Sequence, residues 1–165
     1  MVTKKFVSIG LVNPKSATNV AVILRAAGCY GVSSVFYTGE RFRHARQFNQ
    51  DTKGIRHKIP TIGVDDLLAM TPLGATRIAI ELAEDAIPLP EFVHPENAFY
   101  IFGPEDSSIP KDIVDQCAYT VYIPTFSSMN LAATANVVLY DRLAKSDYEH
   151  SNAFIRASRD INNNL

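Results

Sequence analysis

Short apolar runs alternate along this chain with longer segments in which apolar residues recur every three or four positions. The first pattern is typical of buried strands and the second of amphipathic helices. Val20, Ile23 and Leu24 show the helical spacing clearly, and Gly28 or Gly31 supplies a stop signal after them. The predicted strands cover residues 6–12, 33–38, 76–82, 98–103 and 119–123. The predicted helices cover residues 17–30, 65–70, 109–117, 131–144 and 153–159.

The order of these elements predicts an α/β fold, in which a parallel sheet carries helices on both faces. In such sheets the ligand site lies at the carboxyl ends of the strands, where loops lead into helices. Three polar segments, residues 13–25, 103–109 and 124–131, lie at or just beyond predicted strand ends. We therefore expect these segments to converge on one rim of the sheet and to form the functional site there.

The length of 165 residues is that of one domain with a core of its own. We expect the folded domain to cover residues 1–145, and the polar tail of residues 146–165 to be partly helical or frayed. The first residues run into a predicted strand without a signal-peptide pattern, and no apolar run approaches the roughly 20 residues that span a bilayer. We therefore expect a cytoplasmic protein that does not enter a membrane.

Basic side chains concentrate in residues 41–58, which hold six of the sixteen lysines and arginines and only one acid, Asp51. From Ile78 to Pro110 the chain has seven acids and no lysine or arginine. This asymmetry fits a face that meets nucleic acid, and it fits a solvated basic loop equally well. The six basic residues are Arg41, Arg43, Arg46, Lys53, Arg56 and Lys58.

Several familiar site patterns are absent from the sequence. No G-x-G-x-x-G or G-x-x-x-x-G-K-[ST] loop is present, which argues against a standard dinucleotide or ATP site, and there is no G-x-S-x-G elbow. The four histidines and two cysteines lack metal-ligand spacing, so we expect no metal site. The predicted rim instead holds an arginine, a glutamate, serine and two asparagines, a set that binds and orients oxygen-rich groups.

Three motifs follow one another along the chain. The first is Asn19–Ala27 followed by Gly31, the second is Phe102–Pro110, and the third is Ile123–Pro124 with Ser128–Ala132. In order and spacing they resemble the motifs of the SpoU/TrmH family of SPOUT-class RNA 2′-O-ribose methyltransferases, and the resemblance covers about residues 6–144. Ala21 and Ser108 depart from it, because the family commonly has glycine at both positions.

The resemblance implies a deep trefoil knot in the C-terminal part of the sheet and a bent S-adenosylmethionine wrapped by the loops at the rim. It also implies a homodimer, for which the apolar residues Val137, Val138, Tyr140 and Leu143 of the last long helix are candidate contacts. A core helix shows the same pattern. The residues implied to bind the cofactor are Ile80, Glu81, Gly103, Ile123, Ser128, Met129 and Leu131.

The resemblance makes Arg25 the residue that activates the ribose hydroxyl. Because a guanidinium stays protonated in proteins, we prefer a role in which Arg25 holds the phosphate and stabilises the developing alkoxide. Asn19 would then position Arg25 or the ribose, and Glu105 would orient Arg25 or a group of the partner chain. Ser128 would contact cofactor or ribose, and Asn130 would fix its loop. The simpler alternatives are Asn19 and Ser128 as helix caps, Glu105 as a surface acid and Arg25 in a helix salt bridge.

The predicted function is therefore S-adenosylmethionine-dependent methylation of a ribose 2′-hydroxyl in RNA. The chain is close to the minimal size of the fold, which favours tRNA over rRNA as the substrate. In this interpretation the basic segment meets RNA phosphates. The alternatives are a catalytically silent RNA-binding relative, which Ala21 and Ser108 would signal, an rRNA or a base methyltransferase, and an unrelated doubly wound nucleotide-binding protein.

Overall fold

The computed structural model describes residues 5–45, 59–160 and 162. Within these residues, seven strands form a single sheet in the order β3-β2-β1-β6-β4-β7-β5, and every neighbouring pair is parallel. The strands are β1 (Val7–Leu11), β2 (Ser34–Tyr37), β3 (Thr61–Gly63), β4 (Thr76–Ile80), β5 (Ile87–Pro88), β6 (Ala98–Phe102) and β7 (Tyr119–Tyr122). The helices are α1 (Ala17–Cys29), α2 (Arg41–Ala45), α3 (Lys111–Val114), α4 (Leu131–Ala144) and α5 (Asn152–Ser158), with 3₁₀ turns at Leu68–Met70 and Leu89–Glu91.

Both faces of the sheet are covered by helical segments, as the sequence predicts. Along the central strand β6, Tyr100 and Phe102 belong to the core shared with α1 and α4. Phe99 and Ile101 belong to the opposite core, under α3 and the turn at Leu68–Met70. All four side chains are essentially inaccessible to solvent. Successive side chains enter opposite cores because a strand has a two-residue period and both faces of this sheet are packed.

The five predicted strands are confirmed with slightly narrower bounds. Two further strands were not predicted, and two predicted helices are shorter than expected. β3 and β5 were not predicted, because each is three residues or fewer and contains no buried residue, and so carries no alternating pattern. The helix predicted over residues 109–117 is limited to α3, since Pro110 occupies its N-cap. The helix predicted over residues 65–70 is a 3₁₀ turn.

The parallel arrangement places the carboxyl ends of β1, β6, β4 and β7 along the same edge of the sheet. α1 follows β1 at that edge and packs against α4, which follows β7. The three motifs therefore meet at one rim, as predicted. No helix in the described part of the chain is long and apolar enough to cross a membrane. The residues of α5 are exposed, and a domain boundary near residue 145 stays a prediction.

Candidate functional site

A cavity of about 540 Å³ opens at the carboxyl ends of the central strands. Its walls come from the ends of β4, β6 and β7 and from the first turn of α4. This volume lies within the range of roughly 300–1,000 Å³ that is typical of small-molecule sites. All of the residues proposed to hold a cofactor line it, namely Ile80, Glu81, Gly103, Ile123, Ser128, Met129 and Leu131.

The charge in the cavity wall is negative. Glu81 and Glu105 line the cavity, and no lysine or arginine of the described residues does. The Glu81 carboxylate accepts hydrogen bonds from the backbone N–H of Ile109, at 2.8 Å, and of Leu82, at 3.0 Å. One of its roles is thus to hold the loop after β6 against the end of β4. A site with this charge favours a cationic ligand and disfavours a polyphosphate.

The loop that follows β6 folds tightly back on its own beginning. A Cβ on Gly103 would lie 3.1 Å from Cγ1 and 3.2 Å from the backbone nitrogen of Ile109, so a side chain there would push the loop outward by a few tenths of an ångström. Ser108 lines the cavity but does not adopt a positive φ; in the described part of the chain the non-glycine residues that do are Asn13 and Asp85. The Cβ of Ser108 therefore imposes no backbone strain.

A chain of hydrogen bonds connects one residue from each of the three motifs. Asn130 donates its Nδ2 hydrogen to Oδ1 of Asn19 at 3.1 Å, and Asn19 donates its own Nδ2 hydrogen to Oε1 of Glu105 at 3.0 Å. The Asn130 side chain also caps α4, since its Oδ1 accepts from the N–H groups of Ala132 and Ala133. The coincidence of motifs in the sequence is therefore a physical cluster in the fold.

Both carboxylate oxygens of Glu105 accept hydrogen bonds from the loop after β1 or from Asn19 in α1. Its Oε2 accepts from the N–H of Lys15 at 2.8 Å, and its Oε1 accepts from the N–H of Ser16 at 3.0 Å as well as from Asn19. Partial burial raises the pKa of Glu105, but the hydrogen bonds from Asn19, Lys15 and Ser16 together outweigh it and lower the pKa below its ordinary value. Glu105 is thus a fixed carboxylate and is not a proton donor at neutral pH.

The comparisons with known proteins give the family and the fold of this chain. The sequence profile of the SpoU rRNA Methylase family matches residues 7–140. The chain belongs to this family. A search of curated proteins finds no significant match. Among solved structures, the TrmH/SpoU tRNA modifying enzyme of A. aeolicus has a TM-score of 0.75 and 21% identity, over 86% of this chain and 75% of that one.

Two further solved structures share the fold. The SpoU methyltransferase AviRb from Streptomyces viridochromogenes, in complex with AdoMet, has a TM-score of 0.71 and 20% identity, over 88% of this chain and 59% of that one. A structure from work on the 2-OH methylation of C/U34 on tRNA has a TM-score of 0.74 and 20% identity, over 87% and 97% respectively. The chain thus spans about three fifths of AviRb and nearly all of the third protein.

Arg25, the residue that the family resemblance singles out for catalysis, lies apart from the cavity of its own chain. It is exposed on α1, is not part of the cavity wall and has no hydrogen bond or ion pair within the described residues. The expectation that Asn19 or Glu105 orients Arg25 is not met within one chain, because both side chains are bonded to each other and to neighbouring loops. The simpler alternative of a helix salt bridge for Arg25 is not met either.

The simpler cap interpretations of Asn19 and Ser128 are wrong. Ser16 is the N-cap of α1, and its Oγ accepts the N–H of Asn19 at 3.2 Å. Asn130 is the N-cap of α4, so Ser128 is left exposed on the cavity wall. The cavity also includes Tyr122 and Thr134, which were not predicted. Their positions, beside Ile123 and one helical turn after Leu131, are the signal that finds them.

The structure describes two of the six basic residues proposed to contact RNA. The Arg41 guanidinium is bonded within the chain, to Asp106 and to the Asn13 carbonyl. Arg43 is exposed and pairs with Glu40 one turn earlier, at 3.2 Å. Arg46, Lys53, Arg56 and Lys58 lie outside the described residues. The Arg41 side chain is therefore not part of a free basic surface.

Of the four residues of α4 that were proposed as dimer contacts, two are exposed. Val138 is fully buried and cannot contact a second copy, and Val137 is partly buried against the same core. Tyr140 and Leu143 are 61% and 39% exposed. The helical spacing did not separate the two sets, because core and interface positions share it. Separately, no group of three or more potential metal ligands is found among the described residues.

Proposed function

We propose that this protein transfers the methyl group of S-adenosylmethionine to a ribose 2′-hydroxyl of RNA. The observation that carries the proposal is the cavity at the rim of the sheet, whose wall contains two carboxylates and no cationic side chain of the described residues. A sulfonium ligand suits such a wall, whereas the phosphates of ATP or a dinucleotide would be repelled. The family and the AdoMet-bound fold relative support this choice of cofactor.

The residues present fit S-adenosylmethionine. Ile80, Ile123 and Leu131 supply apolar contact for an adenine ring, while the tight turn at Gly103 brings backbone groups close to the ligand. When bound, the cofactor supplies an electrophilic methyl group. What remains for the protein is to align the 2′-oxygen with that group and to exclude competing orientations.

The alkoxide that develops on the ribose requires a positive charge, and we assign this role to Arg25. Its guanidinium remains protonated and has no internal partner within the described chain, so it is free to hold a phosphate and to stabilise the 2′-oxygen as the proton leaves to solvent. Because Arg25 does not line the cavity of its own chain, we propose a homodimer in which Arg25 of one copy serves the cavity of the other. The exposed Tyr140 and Leu143 are candidate contacts.

We further propose a cytoplasmic enzyme with tRNA as its substrate and a C-terminal trefoil knot. The structure from work on tRNA methylation, which this chain covers almost end to end, supports tRNA over rRNA. The knot is proposed from the match to the family, and the structure shows that α4 follows β7 and packs against α1.

The proposal is tested by supplying the protein with labelled S-adenosylmethionine and unmodified tRNA or rRNA, followed by nucleoside analysis. We expect a 2′-O-methylated nucleoside from tRNA, with a rate that falls about 10²-fold or more in Arg25→Ala while cofactor affinity is unchanged. Label on a base would overturn the ribose assignment. RNA binding without cofactor binding or transfer would identify a silent relative.

The role of the second copy is tested by mixing two inactive variants. Arg25→Ala removes the cation and Gly103→Ala weakens cofactor binding, so each homodimer should be nearly inactive at an S-adenosylmethionine concentration too low to fill the Gly103→Ala cavity. If Arg25 acts across the interface, the mixed dimer contains one complete site and recovers up to half of the activity per dimer. Recovery to no more than the background of the two variants would show that Arg25 serves its own chain.

A further inference from the structure

We propose that Arg41 is a positioning residue, which holds the Glu105 loop in place through Asp106 and does not bind an RNA phosphate. The inference deepens the proposed function and rests on it, because the loop in question forms one wall of the proposed cofactor cavity. It removes Arg41 from the RNA-binding surface that the charge pattern of the sequence suggests and assigns it to the site itself.

The Arg41 guanidinium is committed to two partners by four hydrogen bonds. Nη1 donates to both carboxylate oxygens of Asp106, at 2.8 and 3.1 Å. Nε and Nη2 both donate to the backbone carbonyl of Asn13, at 3.2 and 2.6 Å. A planar guanidinium can satisfy a carboxylate and a carbonyl at once in this way, whereas an ammonium group cannot reproduce the fork.

These bonds join three loops that follow three different strands. Asn13 follows β1, Arg41 begins α2 after β2, and Asp106 follows β6. Asn13 adopts a left-handed φ of 42°, and its N–H donates to Oγ1 of Thr38 at 3.1 Å, so the carbonyl that Arg41 contacts is itself held in place. Arg41 thus adds a further link between loops that Thr38 and Glu105 already connect at the rim.

The result is that the loop after β6 is held from two sides. Glu105 is anchored by the N–H groups of residues 15 and 16 and by Asn19, and the adjacent Asp106 is anchored by Arg41, with Lys15 Nζ at 3.8 Å. Glu105 lines the cavity, whereas neither Arg41 nor Asp106 does. Arg41 therefore acts on the site through its neighbours.

The same geometry argues against a phosphate ligand at Arg41. Its side chain is 33% exposed, against 64% for Arg43, and a phosphate would have to approach beside the Asp106 carboxylate. The hydrogen bond from Arg41 lowers the pKa of Asp106 below its ordinary value, so this carboxylate is charged at neutral pH. An exposed ion pair adds little stability by itself, but a guanidinium that binds a carboxylate through one nitrogen and a backbone carbonyl through the other two fixes geometry.

The test compares Arg41→Ala, Arg41→Lys and Asp106→Asn with Arg43→Ala as the matched control. Cofactor affinity is measured by calorimetry with S-adenosylmethionine, kcat and KM for tRNA by methyl transfer, and loop opening by amide hydrogen exchange of residues 103–109. We expect the first three variants to lose roughly tenfold or more in cofactor affinity or kcat, with KM for tRNA unchanged and with faster exchange in the loop. Arg43→Ala should change neither cofactor affinity nor exchange.

If Arg41 instead bound an RNA phosphate, the variants would change RNA binding and leave cofactor affinity unchanged. Arg41→Ala would raise KM for tRNA with normal cofactor affinity, Arg41→Lys would restore it, and Asp106→Asn would tighten RNA binding by removing a repulsive charge. Those results, or loop exchange unchanged in both Arg41→Ala and Asp106→Asn, would overturn the proposal. If the unmodified protein binds no S-adenosylmethionine, the proposed function fails, and the exchange comparison still decides the role of Arg41.

Discussion

The side-chain amide of Asn130 donates to the side-chain oxygen of Asn19 at 3.1 Å, across 111 residues of sequence. The orientation of both amides follows from the cap of α4. Because Oδ1 of Asn130 accepts the N–H groups of that helix, its Nδ2 must donate, so Oδ1 of Asn19 accepts and Nδ2 of Asn19 donates to Glu105. One helix start thus determines which way the polar groups of the other two motifs point.

Replacing Asn130 separates its two roles. Asn130→Ala removes the cap as well as the bond to Asn19, and we expect it to lower the free energy of unfolding by about 1 kcal/mol. Asn130→Asp keeps an oxygen for the cap but places its second carboxylate oxygen against Oδ1 of Asn19, so it should lose the bond to Asn19 and unfold with a smaller loss than Asn130→Ala. Both should reduce methyl transfer. Chemical denaturation and initial rates check this, and full activity of Asn130→Asp would show that the bond to Asn19 is not needed.

Glu105→Gln should lower both the stability of the protein and its cofactor affinity, although glutamate and glutamine have nearly the same size. Both oxygens of Glu105 accept hydrogen bonds, so an amide would place an NH₂ group against a backbone N–H from residue 15 or 16 or against the side chain of Asn19. We expect a loss of about 1 kcal/mol in stability and of roughly tenfold in cofactor affinity. Thermal denaturation and calorimetry measure the two effects.

The matched control for that variant is Glu84→Gln. Glu84 is exposed, follows the same edge of the sheet and makes no side-chain hydrogen bond within the described residues. It should change neither quantity. Equal behaviour of the two variants would mean that the contacts of Glu105 do not support the cavity.

The sequence predicts the rim of the sheet well because its evidence is local. Strand ends and helix starts can be located from apolar period and capping residues, and parallel strands bring their carboxyl ends together whatever their order. The strand order itself, with β6 between β1 and β4, depends on packing between distant segments and has no local signal. The short edge strand β5 has no pattern either, since it has two residues and one is Pro88.

The roles of individual side chains are harder to predict than their location. Arg41 belongs to a basic segment by composition, yet its partner Asp106 lies 65 residues away and is brought to it only by the fold. Glu81 was expected to flank a ligand and does line the cavity, but its carboxylate also binds the N–H of Ile109. Charge patterns indicate which groups are present and do not indicate which of them neutralise one another.

Gly103→Ala tests the tight turn beside the cavity. The new Cβ would meet Cγ1 and the backbone nitrogen of Ile109 at 3.1–3.2 Å, so the loop must shift by a few tenths of an ångström. We expect weaker cofactor binding by calorimetry, with a loss of about 1 kcal/mol or more in stability. The control is Gly28→Ala in α1, where a Cβ would lie 3.9 Å from its nearest neighbour, Ile59, and should stabilise the helix by about 0.5–1 kcal/mol. Equal affinities in the two variants would contradict the role of the turn.

The contacts of a second polar cluster, away from the cavity, predict that the stability of the protein depends on pH. His94 is nearly inaccessible, with a side chain 5% exposed, and lies between Asp141 and Tyr100 at 2.8 and 2.5 Å. Asp141 can only accept, so Nε2 of His94 carries the hydrogen and Nδ1 accepts from the Tyr100 hydroxyl, whose oxygen accepts from Arg142 at 3.2 Å. The arrangement is complete with a neutral imidazole. A second proton on His94 would face the hydroxyl hydrogen and the charge of Arg142.

Burial lowers the pKa of His94 in the folded protein, and the contact with Asp141 offsets this only in part, while Arg142 and Lys145 lower it further. The unfolded chain therefore binds a proton at about pH 6.5 that the folded chain still excludes. The stabilising contribution of His94 is complete above that pH and is lost as the pH falls toward the lower pKa of the folded state, with a slope of up to about 1.4 kcal/mol per pH unit.

Chemical denaturation between pH 7.5 and 5.5 measures this change in the free energy of unfolding. The window lies above the ordinary carboxylate range, so Glu105 and Asp106, whose pKa values are lowered, do not contribute to it. His94→Gln should flatten the profile and His150→Gln, at an exposed position, should not; a profile unchanged by His94→Gln would mean that another group binds the proton.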